Sequence, residues 1–202
     1  MARVTFVDSG TGNLFSLREA FRRVGVSVRI ASSPEGVRAA RCLVLPGVAS
    51  FPAVIRGIAK VRGPLLAAVD RGVPLLGVCA GMQVLFESSA EGPGEGLGLL
   101  PGRIAALRAD IVPHMGWTRL LTARDSWFDG LPRDPMVYYA HSYAAAADAA
   151  GTVATSVHGS AFAAAVRKGR VFGVQFHPEK SSRIGGTILR SFLREAGVVR
   201  SA

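Results

Sequence analysis

Cysteine is scarce in this sequence, because Cys42 and Cys79 are the only two among 202 residues. Neither belongs to a CxxC pair or to a His/Cys cluster, so the usual zinc-binding motifs are excluded. Two cysteines are also too few for the disulfide framework of a small secreted domain. We therefore expect no metal site, no structural disulfide and no cofactor.

The sequence also lacks a long apolar run and a leader segment. No stretch is long and apolar enough to span a bilayer. The first ten residues, MARVTFVDSG, contain one basic residue and lead directly into a strand-like run. They lack the apolar segment and the cleavage site of a secretory signal. We therefore expect a cytoplasmic protein that does not contact a membrane.

Lysine is rare, with arginine supplying nearly all of the 24 basic residues. Since there are only 14 acidic residues, the formal net charge is +10, which raises the question of a nucleic-acid partner. The arginines are scattered, however, and form no dense basic tract or ladder with aromatic residues. We expect no nucleic-acid partner and interpret the arginine content as a general bias of composition.

Strand-like and helix-like segments alternate over the first hundred residues. Apolar runs predict strands at 3–8, 26–31, 42–47 and 73–79. Helical spacing predicts helices at 13–25, at 55–72 with a break near Gly63-Pro64, and at 81–89. Such alternation is typical of a parallel sheet covered on both faces. Beyond residue 100, strand-like runs between turns predict a mixed or antiparallel extension, and residues 185–197 predict a last helix.

The predicted fold class is therefore α/β, with an open, mostly parallel twisted sheet flanked by helices. No linker, repeat or low-complexity segment divides the chain, so we predict a single domain over residues 1–202.

Cys79 lies where a predicted strand joins a predicted helix. The segment Gly77-Val78-Cys79-Ala80-Gly81 has the G-x-nucleophile-x-G form of a nucleophile elbow. Its sharp turn strains the nucleophile's backbone and leaves no room for side chains two positions away, so glycine is needed there. The helix N-terminus favours a thiolate, and the N–H of Ala80 is placed to receive an oxyanion. A packed, unreactive cysteine is the alternative interpretation of this motif by itself.

A thiolate also needs a base, and His177 is the candidate. It follows an apolar run and precedes Pro178 and Glu179. Proline favours an extended conformation at His177, and residues i and i+2 of an extended chain project to the same side. We therefore predict that the Glu179 carboxylate orients the His177 ring.

The segments GVCAGMQ and FHPE together resemble the class-I, or triad, glutamine amidotransferases, and the resemblance covers essentially the whole chain. It implies a glutaminase domain in which Cys79 is the nucleophile, His177 the base and acid, and Glu179 the orienting carboxylate. The implied reaction is hydrolysis of the side-chain amide of glutamine through a γ-glutamyl thioester, which releases ammonia and then glutamate.

Further segments resemble the glutaminase subunits of imidazole glycerol phosphate synthases. They are DSGTGNL (8–14), LPGVASF (45–51), PHMGW (113–117), YYAHSY (138–143) and HPEKS (177–181). This resemblance implies a (β/α)₈-barrel cyclase as partner, which uses the ammonia for histidine biosynthesis. It also implies a glutaminase activity that is low until the cyclase ligand binds, when the N–H of Val48 turns into the oxyanion hole beside that of Ala80.

The same resemblance assigns substrate and partner contacts. It implies that glutamine is held by main chain at Gly47, Ser142 and Tyr143, by Gln83, and by Glu91 against the substrate ammonium. The positions that match segments near the cyclase are Asn13, Met115, Trp117, Tyr138 and Lys180. Taken without the resemblance, the same residues are typical of a helix cap, core packing and a solvated lysine.

Some positions depart from the family pattern. Ala49 replaces the second glycine of the P-G-V-G loop, and its Cβ restricts the backbone that has to turn. Ala80 replaces a leucine, Ser9 an aromatic residue, and Thr118 the asparagine that usually follows Gly-Trp. At Ala80 only the backbone N–H is needed for the oxyanion, and the changes at Ser9 and Thr118 do not touch the triad.

Two alternatives remain within the same fold. One is the glutaminase subunit of a different synthase, for pyridoxal phosphate or anthranilate, and the other is a catalytically silent binding subunit. Lys180-Ser181 and Pro113–Trp117 favour the imidazole glycerol phosphate synthase, and the intact triad favours an enzyme. His114, His141 and His158 have no predicted catalytic role.

Overall fold

A computed structural model of the protein describes residues 2–11, 14–121 and 125–199. These ranges contain twelve β-strands, six α-helices and three short 3-10 turns. The strands are β1 (Arg3–Val7), β2 (Ser27–Ala31), β3 (Leu43–Gly47), β4 (Leu75–Cys79), β5 (Ser88–Ser89), β6 (Arg103–Ala106), β7 (His114–Arg119), β8 (Met136–His141), β9 (Tyr143–Ala144), β10 (Thr152–His158), β11 (Ser160–Lys168) and β12 (Val171–Val174). The helices are α1 (Leu14–Arg23), α2 (Pro34–Arg38), α3 (Phe51–Ile58), α4 (Arg62–Asp70), α5 (Ala80–Gln83) and α6 (Ser182–Glu195), and the 3-10 turns are Ala59–Val61, Ser126–Phe128 and Pro178–Lys180.

A seven-stranded sheet in the described residues forms the centre of the fold, in the order β10-β11-β12-β4-β3-β1-β2. The five strands from β12 to β2 run parallel to one another. The strands β10 and β11 extend this sheet in antiparallel fashion at one edge. The structure confirms the predicted α/β fold, including its antiparallel extension in the second half of the chain.

The central strands β3, β4 and β12 are buried on both faces, and their successive residues alternate between two apolar layers. In β3, Val44 packs into the layer that contains α1 and α6, represented by Phe21 and Phe192. Its neighbours Leu43 and Leu45 pack into the opposite layer, which contains α3 and α4. Strands that are covered on both faces read as uninterrupted apolar runs, which is the pattern seen in the sequence.

Two smaller groups of strands lie outside the large sheet. One is the pair β7–β8, whose register places Trp117 opposite Tyr138 and His114 opposite His141. The other consists of β5, β6 and β9. Both groups contribute side chains to the site described below.

The sequence prediction missed α2 (Pro34–Arg38) and the first turn of α3 at Phe51, and two of its other statements about helices are wrong. The predicted break near Gly63-Pro64 is wrong, because α4 runs through these residues and the interruption falls at Ala59–Val61. A proline in the first helical turn costs nothing, since its missing N–H would have no partner there. The predicted helix over 81–89 is also too long. The chain leaves the helical path after Gln83, and the Leu85 carbonyl accepts the N–H groups of Leu99 and Leu100 instead.

The longest helix among the described residues is α6, with 14 residues. In the described ranges, no helix combines the length and the hydropathy that are needed to cross a membrane.

The helix α6 packs closely against the 3-10 turn Pro178–Lys180. A Cβ atom built on Gly185 would overlap the carbonyl oxygen of Pro178. A Cβ atom built on the neighbouring Gly186 would meet only the flexible Arg190 guanidinium, at 3.7 Å. The absence of a side chain at Gly185 therefore fixes the distance between the helix and this turn.

We predict that Gly185→Ala lowers the free energy of unfolding by about 1–3 kcal/mol, because the backbone of the turn has to move. We expect Gly186→Ala to raise it by about 0.5–1 kcal/mol, since alanine is the better helix former. Urea denaturation of both variants measures the difference. Equal destabilisation by both substitutions would contradict the proposed close contact.

Candidate active site

Cys79 is the last residue of β4 and immediately precedes α5. Its backbone is in a strained, positive-φ conformation, with φ 55° and ψ −115°. A Cβ on Gly77 would overlap the carbonyl oxygen of Gly81, and a Cβ on Gly81 would overlap that of Leu45. The two glycines of the elbow thus lie where backbone segments approach too closely for any side chain.

The Cys79 side chain is nearly buried, with 5% of the residue exposed. Its Sγ lies 3.8 Å from the carbonyl oxygen of Ala140. The side-chain amide of Gln175 donates to the same sulfur, over 3.7 Å from Nε2. The sequence analysis missed Gln175, although a glutamine within a buried apolar run is a signal that a polar partner lies nearby.

His177 and Glu179 form a buried pair, in which Nδ1 and Oε1 are 2.9 Å apart and both side chains are at most 6% exposed. The expectation of an extended segment here is wrong beyond His177. The backbone of His177 is extended, but Pro178 starts a 3-10 turn, which carries the Glu179 carboxylate back to the ring. Oε2 of Glu179 is buried without a hydrogen-bond partner among the described residues, so the imidazole is the main partner of this charge.

The position of His177 between two anionic groups determines its charge. Burial acts to lower the pKa of His177, but hydrogen bonds to Cys79 and Glu179 and the negative charges of both groups outweigh it and raise the pKa to about 10. The imidazole is therefore protonated at neutral pH. A cationic ring thus lies beside the Cys79 sulfur.

The turn that holds this histidine is anchored to the strand β8. The N–H of His177 donates to the carbonyl of Tyr138 over 2.8 Å. The Ser181 hydroxyl donates to the carbonyl of His177 over 2.6 Å and accepts the N–H of Tyr138 over 3.0 Å. Through these two hydrogen bonds, the fully buried Ser181 connects the turn to β8.

A cavity of about 450 Å³ opens in front of the sulfur. This volume is within the usual range for a small-molecule site. The cavity brings together most of the residues that the sequence analysis selected. They are Val48, Cys79, Ala80, Gln83, Glu91, Met115, Ser142, Tyr143, His177 and Lys180.

Other selected residues lie behind or beside this cavity. Gly47 pairs with Cys79 in the sheet. A Cβ on Gly47 would meet the backbone of Ala80 and Gly81, so the absence of a side chain allows β3 to lie close to the elbow. Glu179 lies behind the imidazole. Trp117 and Tyr138 lie on the adjacent surface, and Asn13 falls outside the described residues.

Ala80 and Val48, the two predicted oxyanion donors, both line the cavity. Ala80 is the first residue of α5, so its N–H has no acceptor within the helix. Val48 follows the end of β3, and 53% of it is exposed. Val48 and Ala80 directly follow the neighbouring strands β3 and β4, at the point where Gly47 approaches the elbow closely.

Gln83 and Glu91 are tied into the protein as well as facing the cavity. Nε2 of Gln83 donates to the Tyr143 carbonyl over 2.8 Å and to Oε1 of Gln175 over 3.0 Å, which leaves its own Oε1 as an acceptor. Oε2 of Glu91 accepts the N–H of Phe51 over 2.6 Å and so caps α3, where Ser50 makes no side-chain cap. No motif in the sequence indicates this capping role.

An exposed group of side chains borders the cavity on one side. The rings of Trp117 and Tyr138 meet edge to face with 6.0 Å between centroids, and Nζ of Lys180 lies 5.4 Å from the Tyr138 ring. Met115 is 65% exposed and Trp117 is 49% exposed. We call Met115, Trp117, Tyr138 and Lys180 the aromatic patch. Two of its members, Met115 and Lys180, also line the cavity.

Comparison with known families and proteins gives close matches over nearly the whole chain. The family described as Glutamine amidotransferase class-I matches residues 5–196. The imidazole glycerol phosphate synthase subunit HisH of Salinibacter ruber is 44% identical over 201 residues, which cover 93% of this chain and 92% of that protein. The subunit of the same name from Xanthomonas oryzae pv. oryzae is 42% identical over 197 residues, which cover 96% and 98%.

Solved structures are similar in fold at lower sequence identity. The crystal structure of a glutamine amidotransferase has a TM-score of 0.77 at 20% identity and covers 96% of this chain and 99% of that one. The structure of PurLQS from Thermotoga maritima has a TM-score of 0.73 at 22% identity, with coverage of 95% and 97%. At these identities the likeness concerns the arrangement of helices and strands.

We predict that Glu179→Gln lowers the pKa of His177 by roughly one to three units, because it removes the negative charge beside the ring. An NMR titration of the His177 ring measures this shift. Glu195→Gln, which removes a carboxylate that pairs with Arg167 instead, is the control and leaves the titration unchanged. A pKa of His177 near 6.5 in the unaltered protein would contradict the charge arrangement described above.

Proposed function

Because this chain belongs to the class-I glutamine amidotransferase family, we propose that it is the glutaminase subunit of an imidazole glycerol phosphate synthase. It hydrolyses glutamine and passes the ammonia to a (β/α)₈-barrel cyclase, which works in histidine biosynthesis. We further propose that it acts in the cytoplasm, where the thiols of Cys42 and Cys79 stay free.

The observation that carries this proposal is the single cavity in which Cys79 meets His177. A strained cysteine, a histidine that two anionic neighbours keep protonated despite its burial, and a buried carboxylate behind it are the parts of a thiol-based acyl-transfer site. The description of the matching family supports glutamine as the substrate, and the relatives that share 42–44% of the sequence carry the name of this synthase subunit, which supports the choice of synthase.

In the first step, the Cys79 thiolate attacks the side-chain amide carbon of glutamine. The carbonyl electrons move to the oxygen, and the N–H groups of Ala80 and Val48 stabilise the resulting oxyanion. One such donor is worth about 10²–10³ in rate, so a turn of the Val48 peptide is a sufficient switch. The protonated His177 then gives its proton to the departing nitrogen, which leaves as ammonia while the γ-glutamyl thioester forms.

In the second step, His177 is neutral and acts as a base towards water. Water attacks the thioester carbon, the C–S bond breaks, and glutamate leaves with the thiolate restored. The proton that His177 takes from water restores the imidazolium. Glu179 stays ionised throughout and stabilises each imidazolium state, as the orienting carboxylate of a catalytic triad does.

The cavity offers complementary groups to the rest of the substrate. The free carboxylate oxygen of Glu91 suits the α-ammonium group, since a charged acceptor makes the stronger hydrogen bond. Oε1 of Gln83 is an acceptor as well, because both of its N–H groups are used elsewhere. The backbone at Ser142 and Tyr143 completes the wall.

The aromatic patch is the proposed docking surface for the cyclase. Exposed aromatic and methionine side chains are typical of protein interfaces, and here they adjoin the mouth of the cavity. A partner on Met115 and Lys180 covers that mouth, which keeps bulk water away from the ammonia. Asn13 is assigned to the same surface only by its family segment.

We predict that Cys79→Ala lowers glutamine-dependent ammonia release by about 10⁴-fold or more, measured with the cyclase and its ligand present. Cys42→Ala is the matched control, because Cys42 is fully buried in the core and burial raises the pKa of its thiol to about 12. The control keeps the wild-type rate.

The other outcomes of this assay point to specific alternatives. Equal ammonia release by the wild type and Cys79→Ala would show a silent binding subunit. Stimulation by a pyridoxal phosphate or anthranilate synthase, with no response to the barrel cyclase, would show a different partner.

We also predict that Trp117→Ala weakens association with the cyclase by at least about tenfold, since buried tryptophans dominate many interfaces. Ile30→Ala, which removes an exposed side chain from the edge strand β2, leaves the affinity unchanged. Calorimetric titration of the two subunits measures both effects. Equal affinities for the two variants would place the interface elsewhere.

A further inference from the structure

A second cluster of titratable side chains lies beside the catalytic pair. It consists of His114, His141 and His158, of which the first two are 3% and 6% exposed. The His114 ring stacks between those of His158, at 4.1 Å, and Tyr139, at 4.8 Å. In the part of the chain that the structure describes, no group of His, Cys, Asp or Glu side chains could hold a metal ion. His114 and His141 instead take part in hydrogen bonds.

These hydrogen bonds form a continuous series. Oγ1 of Thr118 lies 2.8 Å from Nε2 of His114. Nδ1 of His114 lies 3.1 Å from Nε2 of His141, and Nδ1 of His141 lies 2.9 Å from the carbonyl oxygen of Tyr143. The register of β7 and β8 makes this possible, because it places His114 directly opposite His141.

Both rings are neutral at neutral pH. Burial lowers the pKa of each to about 4, with neighbouring histidines adding to the effect, and the hydrogen bond to Tyr143 offsets it only in part at His141. A neutral imidazole has one N–H group and one acceptor nitrogen.

The direction of every hydrogen bond in the series follows from the carbonyl at its end. A carbonyl oxygen can only accept, so Nδ1 of His141 carries the hydrogen and its Nε2 accepts. Nδ1 of His114 must then donate, its Nε2 must accept, and the Thr118 hydroxyl must supply that hydrogen. The two histidines are held in the Nδ1–H form by the two ends of the series.

The series continues from Tyr143 to the nucleophile. The same Tyr143 carbonyl accepts from Gln83, whose other N–H group donates to Gln175, and Gln175 donates to Sγ of Cys79. At its other end, Thr118 follows Trp117 of the aromatic patch directly on β7. Hydrogen-bonded groups thus connect the proposed docking surface with the sulfur.

We propose that Thr118, His114 and His141 are positioning residues, which hold the Tyr143 carbonyl, and through it Gln83 and Gln175, in place for glutamine. This inference rests on the proposed glutaminase function. Without the Thr118 hydroxyl, only the Tyr143 carbonyl still favours the Nδ1–H forms, so the preference is weaker and His114 can carry its hydrogen on Nε2. Nε2 of His141 then has no donor. If His141 also moves its hydrogen to Nε2, the lone pair on its Nδ1 faces the Tyr143 carbonyl oxygen and repels it, which displaces the carbonyl.

The test compares Thr118→Val, which removes the hydroxyl at nearly constant shape, with Thr118→Ser, which keeps it. The first readout is ¹⁵N NMR of the histidine rings. We expect the Nδ1–H form at His114 and His141 in the wild type and in Thr118→Ser, and the Nε2–H form or a mixture in Thr118→Val. A purely structural role of Thr118 would not change the tautomers.

The second readout is glutaminase kinetics with the cyclase and its ligand. We expect Thr118→Val to raise KM for glutamine by about 2- to 10-fold, the effect of one lost neutral hydrogen bond, with a smaller change in kcat. Thr118→Ser restores the wild-type KM. Equal KM values for the two variants would overturn the positioning role.

The two readouts separate this inference from the proposed function. If the wild type releases ammonia but carries the hydrogen of His141 on Nε2, the proposed positioning role is overturned and the glutaminase function stands. If the wild type shows the expected tautomers, and they change as expected in Thr118→Val, the positioning role is supported. If the same wild type releases no ammonia, the proposed glutaminase function is contradicted.

Discussion

A protonated imidazole between a sulfur and a buried carboxylate is the interaction on which the site depends. Burial disfavours this cation, and only the two anionic neighbours of His177 outweigh that effect. Both neighbours must therefore be held at hydrogen-bond distance by rigid backbone. The strained conformation at Cys79 and the 3-10 turn at Pro178 do this from two adjacent parallel strands, β4 and β12.

The parts of the fold farther from the site maintain that geometry. Close backbone approaches at Gly77, Gly81 and Gly185 fix the elbow and the turn from behind. The buried Ser181 hydroxyl ties the same turn to β8. The strand β8 is thus attached to the turn that holds His177 by hydrogen bonds, so the aromatic patch and the cavity are held in a fixed relative position.

Local sequence signals predicted the parts of the site that depend on local geometry. The glycine spacing around Cys79 and the His-Pro-Glu segment indicated the elbow and the paired carboxylate, and alternation of strands and helices gave the parallel sheet. Contacts between distant segments gave no such signal. The bond from Gln175 to the sulfur, the cap that Glu91 provides for α3, and the pairing of His114 with His141 each join residues that meet only after the sheet and the β7–β8 pair have formed. The resemblance to a family selected Gln83 and Glu91 where the residues alone favoured an ordinary helix position and a loop acid.

The cavity that the chain builds around its sulfur is incomplete, because Met115 and Lys180 form a rim that opens to solvent. Any small neutral base released there would pick up a proton from water and lose its nucleophilicity before it could diffuse to a distant acceptor. Under the proposed function, efficient nitrogen transfer therefore requires a second molecule, the proposed cyclase, to complete the wall of the cavity.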